Sequence, residues 1–247
     1  MIDPSILQSM RDHASLDQTD VALDIGAGLG FLSRFLAEKC RSVLAVEADD
    51  RLVRILIEQL KNLPNVTVIA GNVLKTDIPP FNKVVSIPPY GISSRLLHWL
   101  LNTHFGPSVL IFQKEFANRL IAPVGSENYG WLTVLTYYQT ECELLDEVPR
   151  SMFYPQPDVD STIVCLKPRK SKPFEVRDEP LFTKLVQNLF NKRNRKVRNA
   201  VRPFLRSVLA KSVQDTEAVA RNAPYSNERV RLLAPEDFGA LANALFS

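Results

Sequence analysis

Nowhere in the 247-residue chain does an uninterrupted apolar run approach the ~18–20 residues that a membrane-spanning helix needs, although 45% of the residues are hydrophobic. A packed core is therefore expected and a membrane partner is not. The opening Met1-Ile2-Asp3-Pro4 has neither the basic nor the apolar segment of a secretory leader, so a cytoplasmic location is expected. Cysteine is scarce: Cys40, Cys142 and Cys165 are isolated and odd in number, which argues against a disulfide framework and suits a reducing compartment. Together with His13, His98 and His104 they form no ligand spacing, so no metal is expected. Internal repeats and low-complexity tracts are also missing. A chain of this length holds one large domain, or one with a smaller companion.

Net charge is low as well, only +3. It is unevenly spread: residues 168–211 carry 13 Lys or Arg against three acids, a local +10, so the remainder sums to −7. A basic segment on an otherwise mildly acidic chain points to a polyanion partner. The plainer account is a solvated helix face, which is what most charge runs are.

What the chain does have is Asp24-Ile25-Gly26-Ala27-Gly28-Leu29-Gly30, preceded by the apolar Val21-Ala22-Leu23 and followed by an amphipathic stretch over 31–40. Strand, glycine turn and helix in that order form the context in which such a pattern has meaning. The next apolar run ends in Glu47, where a carboxylate can accept the hydroxyls of a ribose. In a dinucleotide fold the last glycine comes three residues after the second. Here the spacing is Gly26-x-Gly28-x-Gly30 with Asp24 directly ahead, which suits S-adenosylmethionine (SAM): it has no phosphate, and its amino group welcomes an acid.

Short apolar runs at 21–25, 43–47, 66–70, 83–87 and 108–113 alternate with helical patterns at 31–40, 50–62 and 93–102. Such a βαβ series predicts an α/β fold with a mainly parallel sheet covered by helices on both faces. Runs at 132–140 and 161–166 are expected to be two later strands, the second alternating as an antiparallel edge. That arrangement is similar to the seven-stranded methyltransferase sheet. A Lys-, Pro- and Ser-rich linker at 167–173 divides this domain, 1–168, from a helical one, 169–247. Helices are expected there at 180–189, 196–209, 216–221, 226–233 and 235–246.

Ile87-Pro88-Pro89-Tyr90 ends the fourth run. Methyltransferases acting on a planar amino group place here a polar residue, two further residues ending in Pro, and then an aromatic. An exocyclic adenine amine is a poor nucleophile because its lone pair is delocalised. Acceptors for its N–H groups favour a pyramidal nitrogen, and an aromatic ring stacks on the base. With an activated methyl donor, positioning is then sufficient. Phe153-Tyr154-Pro155-Gln156-Pro157-Asp158-Val159-Asp160-Ser161 is a proline-stiffened loop led by an aromatic. At the mouth of the sheet it would clamp a flipped base against Tyr90. The densest basic run, Phe190 to Asn199, has five cations among its ten residues: Lys192, Arg193, Arg195, Lys196 and Arg198. Arginine forks fit phosphate oxygens, which give affinity without sequence information.

Together these segments resemble the KsgA-type rRNA adenine N6-dimethyltransferases, especially their archaeal and eukaryotic branch. The likeness runs from Ile2-Asp3-Pro4 to at least Val201 and rests on Asp24–Gly30, Glu47, the Pro-Tyr-x-Ile-Ser-Ser of 89–94, and Gln113-Lys114-Glu115-Phe116-Ala117. The motifs beginning at Phe153 and Phe190 are the most specific part. The resemblance implies a Rossmann-like SAM-binding domain with a small C-terminal helical domain. It implies dimethylation of two adjacent adenines near the 3′ end of small-subunit rRNA, alone or in a pre-ribosomal particle, by a monomer. Asp24, Gly26, Ala27, Gly28, Glu47, Ala48, Gly71 and Asn72 would hold the cofactor. Ile87, Pro88, Pro89, Tyr90 and Phe153 would present the base, and the five cations would bind RNA.

The chain departs from the family pattern in three places. Met1 stands where a Gln- and Phe-containing segment is usual. Gly71-Asn72 replaces Gly-Asp, keeping an acceptor oxygen. Ile87 stands where the family has an Asn that accepts from the target amine; the Pro88 carbonyl, or Ser86 if it faces inward, would have to serve. The departures leave open a slow enzyme, an RNA-binding ribosome-assembly factor with little catalysis, and an amino methyltransferase acting on DNA adenine or protein glutamine.

Overall fold

The computed structural model describes residues 3–210 and 212–246; Ile2 of the resemblance and Lys211 of the basic segment lie outside them. The chain forms two compact units, residues 1–118 with 140–168, and residues 119–139 with 169–247. One boundary in the chain between the units falls after Pro168, and residues 119–139 group with the second unit rather than the first.

In the first unit, α1 (Pro4–Ala14) opens with Pro4 in its first turn and Asp3 as cap, whose Oδ1 accepts from the Ser5 amide at 2.8 Å. Five strands follow, with a helix between each successive pair except β3 and β4: β1 (Val21–Ile25), α2 (Phe31–Ala37), β2 (Ser42–Glu47), α3 (Asp50–Leu60), β3 (Val66–Ala70), β4 (Lys83–Ser86), α4 (Ser93–Leu101) and β5 (Ser108–Gln113), then α5 (Lys114–Leu120). On α3, Val53, Leu56 and Leu60 lie three and four apart and are buried. After α6 (Trp131–Gln139) of the second unit, the chain returns as β6 (Thr140–Val148) and β7 (Ser161–Pro168). The sheet runs β3-β2-β1-β4-β5-β7-β6. Pairings among β1 to β5 are parallel, and β7 is antiparallel to both of its neighbours. The order reverses between β1 and β4, and ligands of open α/β sheets bind beyond the carboxyl ends of the strands at such a switch point.

Two expectations are corrected here. Residues 132–140 are almost wholly the helix α6, not a strand. Leu132, Thr133, Val134, Leu135, Thr136 and Tyr138 are all buried, so the run has no polar face to reveal a helical period. The edge strand is instead β6, whose sequence Thr-Glu-Cys-Glu-Leu-Leu-Asp-Glu-Val carries charges in a poor strand-former's composition, as solvated edges do. β7 lies inside the sheet between β5 and β6.

The second unit contains α6, α7 (Glu179–Phe190), α8 (Val197–Ala200), α9 (Arg202–Ser207), α10 (Val213–Asn222) and α11 (Pro235–Leu245). Asp178 caps α7 through the Leu181 amide at 2.8 Å. The helix expected over 196–209 is split into α8 and α9, with Pro203 in the first turn of α9. That expected over 216–221 starts earlier, at the cap Ser212. Of 226–233 only a short 3-10 turn at Val230–Leu232 is helical. Tyr138, Phe174 and Phe182 pack as a cluster with ring centroids 4.9 to 5.9 Å apart.

Candidate active site

β1 ends in a turn whose shape requires glycine. Gly26 has φ +73°, and a Cβ there would stand 2.7 Å from Pro89 Cδ. The cofactor-type turn and the proline segment after β4 are therefore in direct contact. Gly28, at φ +57°, donates its N–H to Glu47 Oε2 at 2.9 Å. Glu47 Oε1 accepts from the amides of Ala48 and Asp49 at 2.8 and 2.9 Å. Three of a carboxylate's roughly four acceptor sites are thus filled, and Oε2 can still take one hydroxyl. The amide of Gly71 donates to the Glu47 carbonyl at 2.8 Å, which brings the end of β3 alongside. Asn72 is exposed, and its Oδ1 accepts from the Leu74 amide at 3.0 Å, leaving a second lone pair.

Asp24 is 1% exposed and its Oδ2 accepts from Ser33 Oγ at 2.6 Å. Burial pushes its carboxyl up to about 7; the nearby Glu47 charge adds to this, and the Ser33 hydroxyl opposes it. Asp24, Gly26, Ala27, Gly28, Ile87 and Phe153 line one cleft of about 490 Å³, within the usual size range of small-molecule sites. Leu29 of the expected turn, Tyr154 and Pro155 of the expected loop, and Phe31, Leu32 and Leu52, which were not expected there, complete its wall. Leu29 and Phe31 are large, apolar and nearly half exposed, a signal that only the fold makes visible.

Ser86 is fully buried. Its hydroxyl donates to the Ile25 carbonyl at 2.8 Å and accepts from the Ile25 amide at 3.0 Å, which ties the end of β4 to the end of β1. It is therefore committed to the sheet and cannot stand in for the side-chain acceptor missing at Ile87. Ile87 is half-buried and packs against the core, and Pro88 is buried. Tyr90 is held by a 2.6 Å hydrogen bond between its hydroxyl and Ser161 Oγ, at the start of β7. Burial pushes its phenol pKa up, so it stays neutral. Phe153 is half-buried against the same core as Ile87.

In the second unit, Lys192, Arg193 and Arg195 line a polar hollow of about 680 Å³ together with Asn191, Asn194, Asn199 and Arg202. The five expected RNA ligands divide into two groups. Arg193 donates to the carbonyls of Glu127 and Ser126 at 2.7 and 2.8 Å, and Arg198 donates to Asn227 Oδ1 at 2.7 Å. Both are half-buried and hold the fold, whereas Lys192, Arg195 and Lys196 are exposed.

A sheet with this strand order, a glycine turn at its switch point and a carboxylate closing β2 defines a Rossmann-like, SAM-dependent methyltransferase fold. Residues 1–235 match the family model "Ribosomal RNA adenine dimethylase", and the chain belongs to that family. It is 41% identical to a probable ribosomal RNA small subunit methyltransferase A of Methanosarcina acetivorans, covering 100% of this chain and 91% of the relative. A similarly named protein of Thermococcus onnurineus is 38% identical over 96% of this chain and 86% of its own. A crystal structure of a dimethyladenosine transferase from Plasmodium falciparum superposes with a TM-score of 0.80 at 26% identity, covering 98% of this chain and 95% of that one. The crystal structure of the 23S rRNA methyltransferase ErmE does so with 0.69 at 28%, covering 99% and 98%.

Proposed function

We propose that this chain methylates the N6 amine of adenines in small-subunit rRNA, adding two methyls to each and acting in the cytoplasm as a monomer on rRNA or a pre-ribosomal particle. Family membership supports the reaction. The observation that carries the site is the joining of the glycine turn to Glu47 on one side and to Pro89 on the other. Cofactor and target base would thereby share one rigid junction.

When bound, SAM supplies an activated methyl group. Gly26, Ala27 and Gly28 leave the backbone open to it, and Asp24 sets a carboxylate against its ammonium. Glu47 accepts a ribose hydroxyl on Oε2, with Ala48, Gly71 and Asn72 bordering the adenine. On the other side, Tyr90 and Phe153 enclose the target base and exclude water. The Pro88 carbonyl accepts from the target amine and favours its pyramidal form, while Ile87 supplies packing but no hydrogen bond. Lys192, Arg195 and Lys196 meet phosphate oxygens.

Calorimetry of SAM binding tests the cofactor half. Glu47→Ala is expected to weaken affinity roughly 10- to 150-fold, the worth of a charge-assisted hydrogen bond. Unchanged affinity in a folded mutant would remove Glu47 from the ribose role.

A further inference from the structure

Of the aromatic residues at the cleft, Tyr154 stands apart. It is 73% exposed, yet it lines the same cleft as Asp24, Ile87 and Phe153. Its neighbour has an extended backbone (Phe153, φ −112°, ψ 148°), so successive side chains diverge. Phe153 turns to the core, and Tyr154 is carried to the rim. The segment is held in place at several points. The Met152 carbonyl accepts from the Asp3 amide at 2.9 Å, the Arg150 amide donates to Asp160 Oδ1 at 2.9 Å, and the Arg150 guanidinium donates to the Asp158 carbonyl at 3.2 Å. A large ring held on an anchored loop at the edge of a binding cleft, with most of its surface in water, has area to give to a ligand. Asp24, in the same cleft, is almost without exposure, so the rim that carries Tyr154 is a side open to an arriving polynucleotide.

We infer that Tyr154 is a second stacking platform, which takes the nucleobase next to the target adenine in single-stranded RNA. This rests on the reaction proposed above, and it adds a residue that positions the substrate rather than one that touches the reacting atoms. Every base has a π-face, so such a contact fixes the strand and the reach of the target without selecting sequence. The phenol hydroxyl is not needed; the ring is.

The test measures equilibrium binding of the full chain to short single-stranded RNAs that carry one adenine and, beside it, either a base or an abasic site. Methyl transfer and SAM affinity are measured in parallel. Wild type is expected to bind the abasic RNA roughly 5- to 150-fold more weakly than the intact one. Tyr154→Ala is expected to lose that difference and bind both RNAs at the weaker level, with SAM affinity retained. Tyr154→Phe is expected to restore the difference. Wild-type binding that ignores the flanking base would overturn the proposal, as would an alanine variant that still senses it. Weakened SAM affinity with unchanged RNA binding would also overturn it, assigning the ring to the cofactor instead. If Tyr154-dependent binding is found without any methyl transfer, the platform stands and the proposed reaction fails.

Discussion

Single residues set the chemistry, and two of them make separate predictions. Asp24 is held near 7 mainly because it is buried. Between about pH 4 and 7 the unfolded chain is ionised at this position while the folded chain keeps its proton, so stability is lost as pH rises through that window. A shift of this size corresponds to roughly 4 kcal/mol at most. Urea unfolding across this pH range should show the decline in the wild type and a flatter profile in Asp24→Asn. A bound ammonium favours the carboxylate, so SAM affinity is expected to rise as pH is raised through about 7. Calorimetry at a series of pH values checks this, and a flat profile would separate Asp24 from the cofactor. Ile87 is the other case. With Ser86 locked to Ile25, its hydroxyl does not replace the missing acceptor. Ile87→Asn is therefore expected to raise turnover roughly 5- to 150-fold at near-constant SAM affinity, because the contact strengthens as the amine pyramidalises. Single-turnover kinetics with both proteins would show it. The positions of Asp24 and Glu47, near the end of β1 and at the end of β2, were legible from spacing alone. The Gly28 amide on Glu47 and the two bonds on Ser86 were not, since they join residues that only the fold brings together.

At the scale of elements, the βαβ series was legible because each strand and helix shows its own period, and the turn at 24–30 falls at the strand-order reversal. α6 and β6 were not, for opposite reasons: one is buried along most of its length, and the other is charged at an edge. The basic segment divides in the same way. Its sequence shows five equivalent cations, while the structure gives Arg193 to two backbone carbonyls of the 126–127 turn. Arg193→Ala should destabilise the second unit by about 0.5–1.5 kcal/mol, because one exposed and one partly buried carbonyl lose their donor. Replacing Lys192, Arg195 and Lys196 together should leave unfolding unchanged and weaken RNA binding. It should also flatten the slope of log affinity against log salt by about two to three. Chemical denaturation and salt titrations of RNA binding distinguish the two groups. An unchanged salt slope in the triple variant would make this face merely solvated.

On the scale of the whole molecule, a low net charge conceals two units of different character: one carries the cleft at the sheet's switch point, the other the polar hollow beside α7. Among the described residues, no helix is long and apolar enough to cross a membrane. The most direct test of the central claim is transfer of labelled methyl from SAM to small ribosomal subunits that lack the modification, followed by nucleoside analysis of the recovered rRNA. The account predicts label in N6-methylated and N6,N6-dimethylated adenosine, at a low rate in the native chain and a higher one in Ile87→Asn. RRNA that is bound but stays unlabelled with both proteins would contradict it.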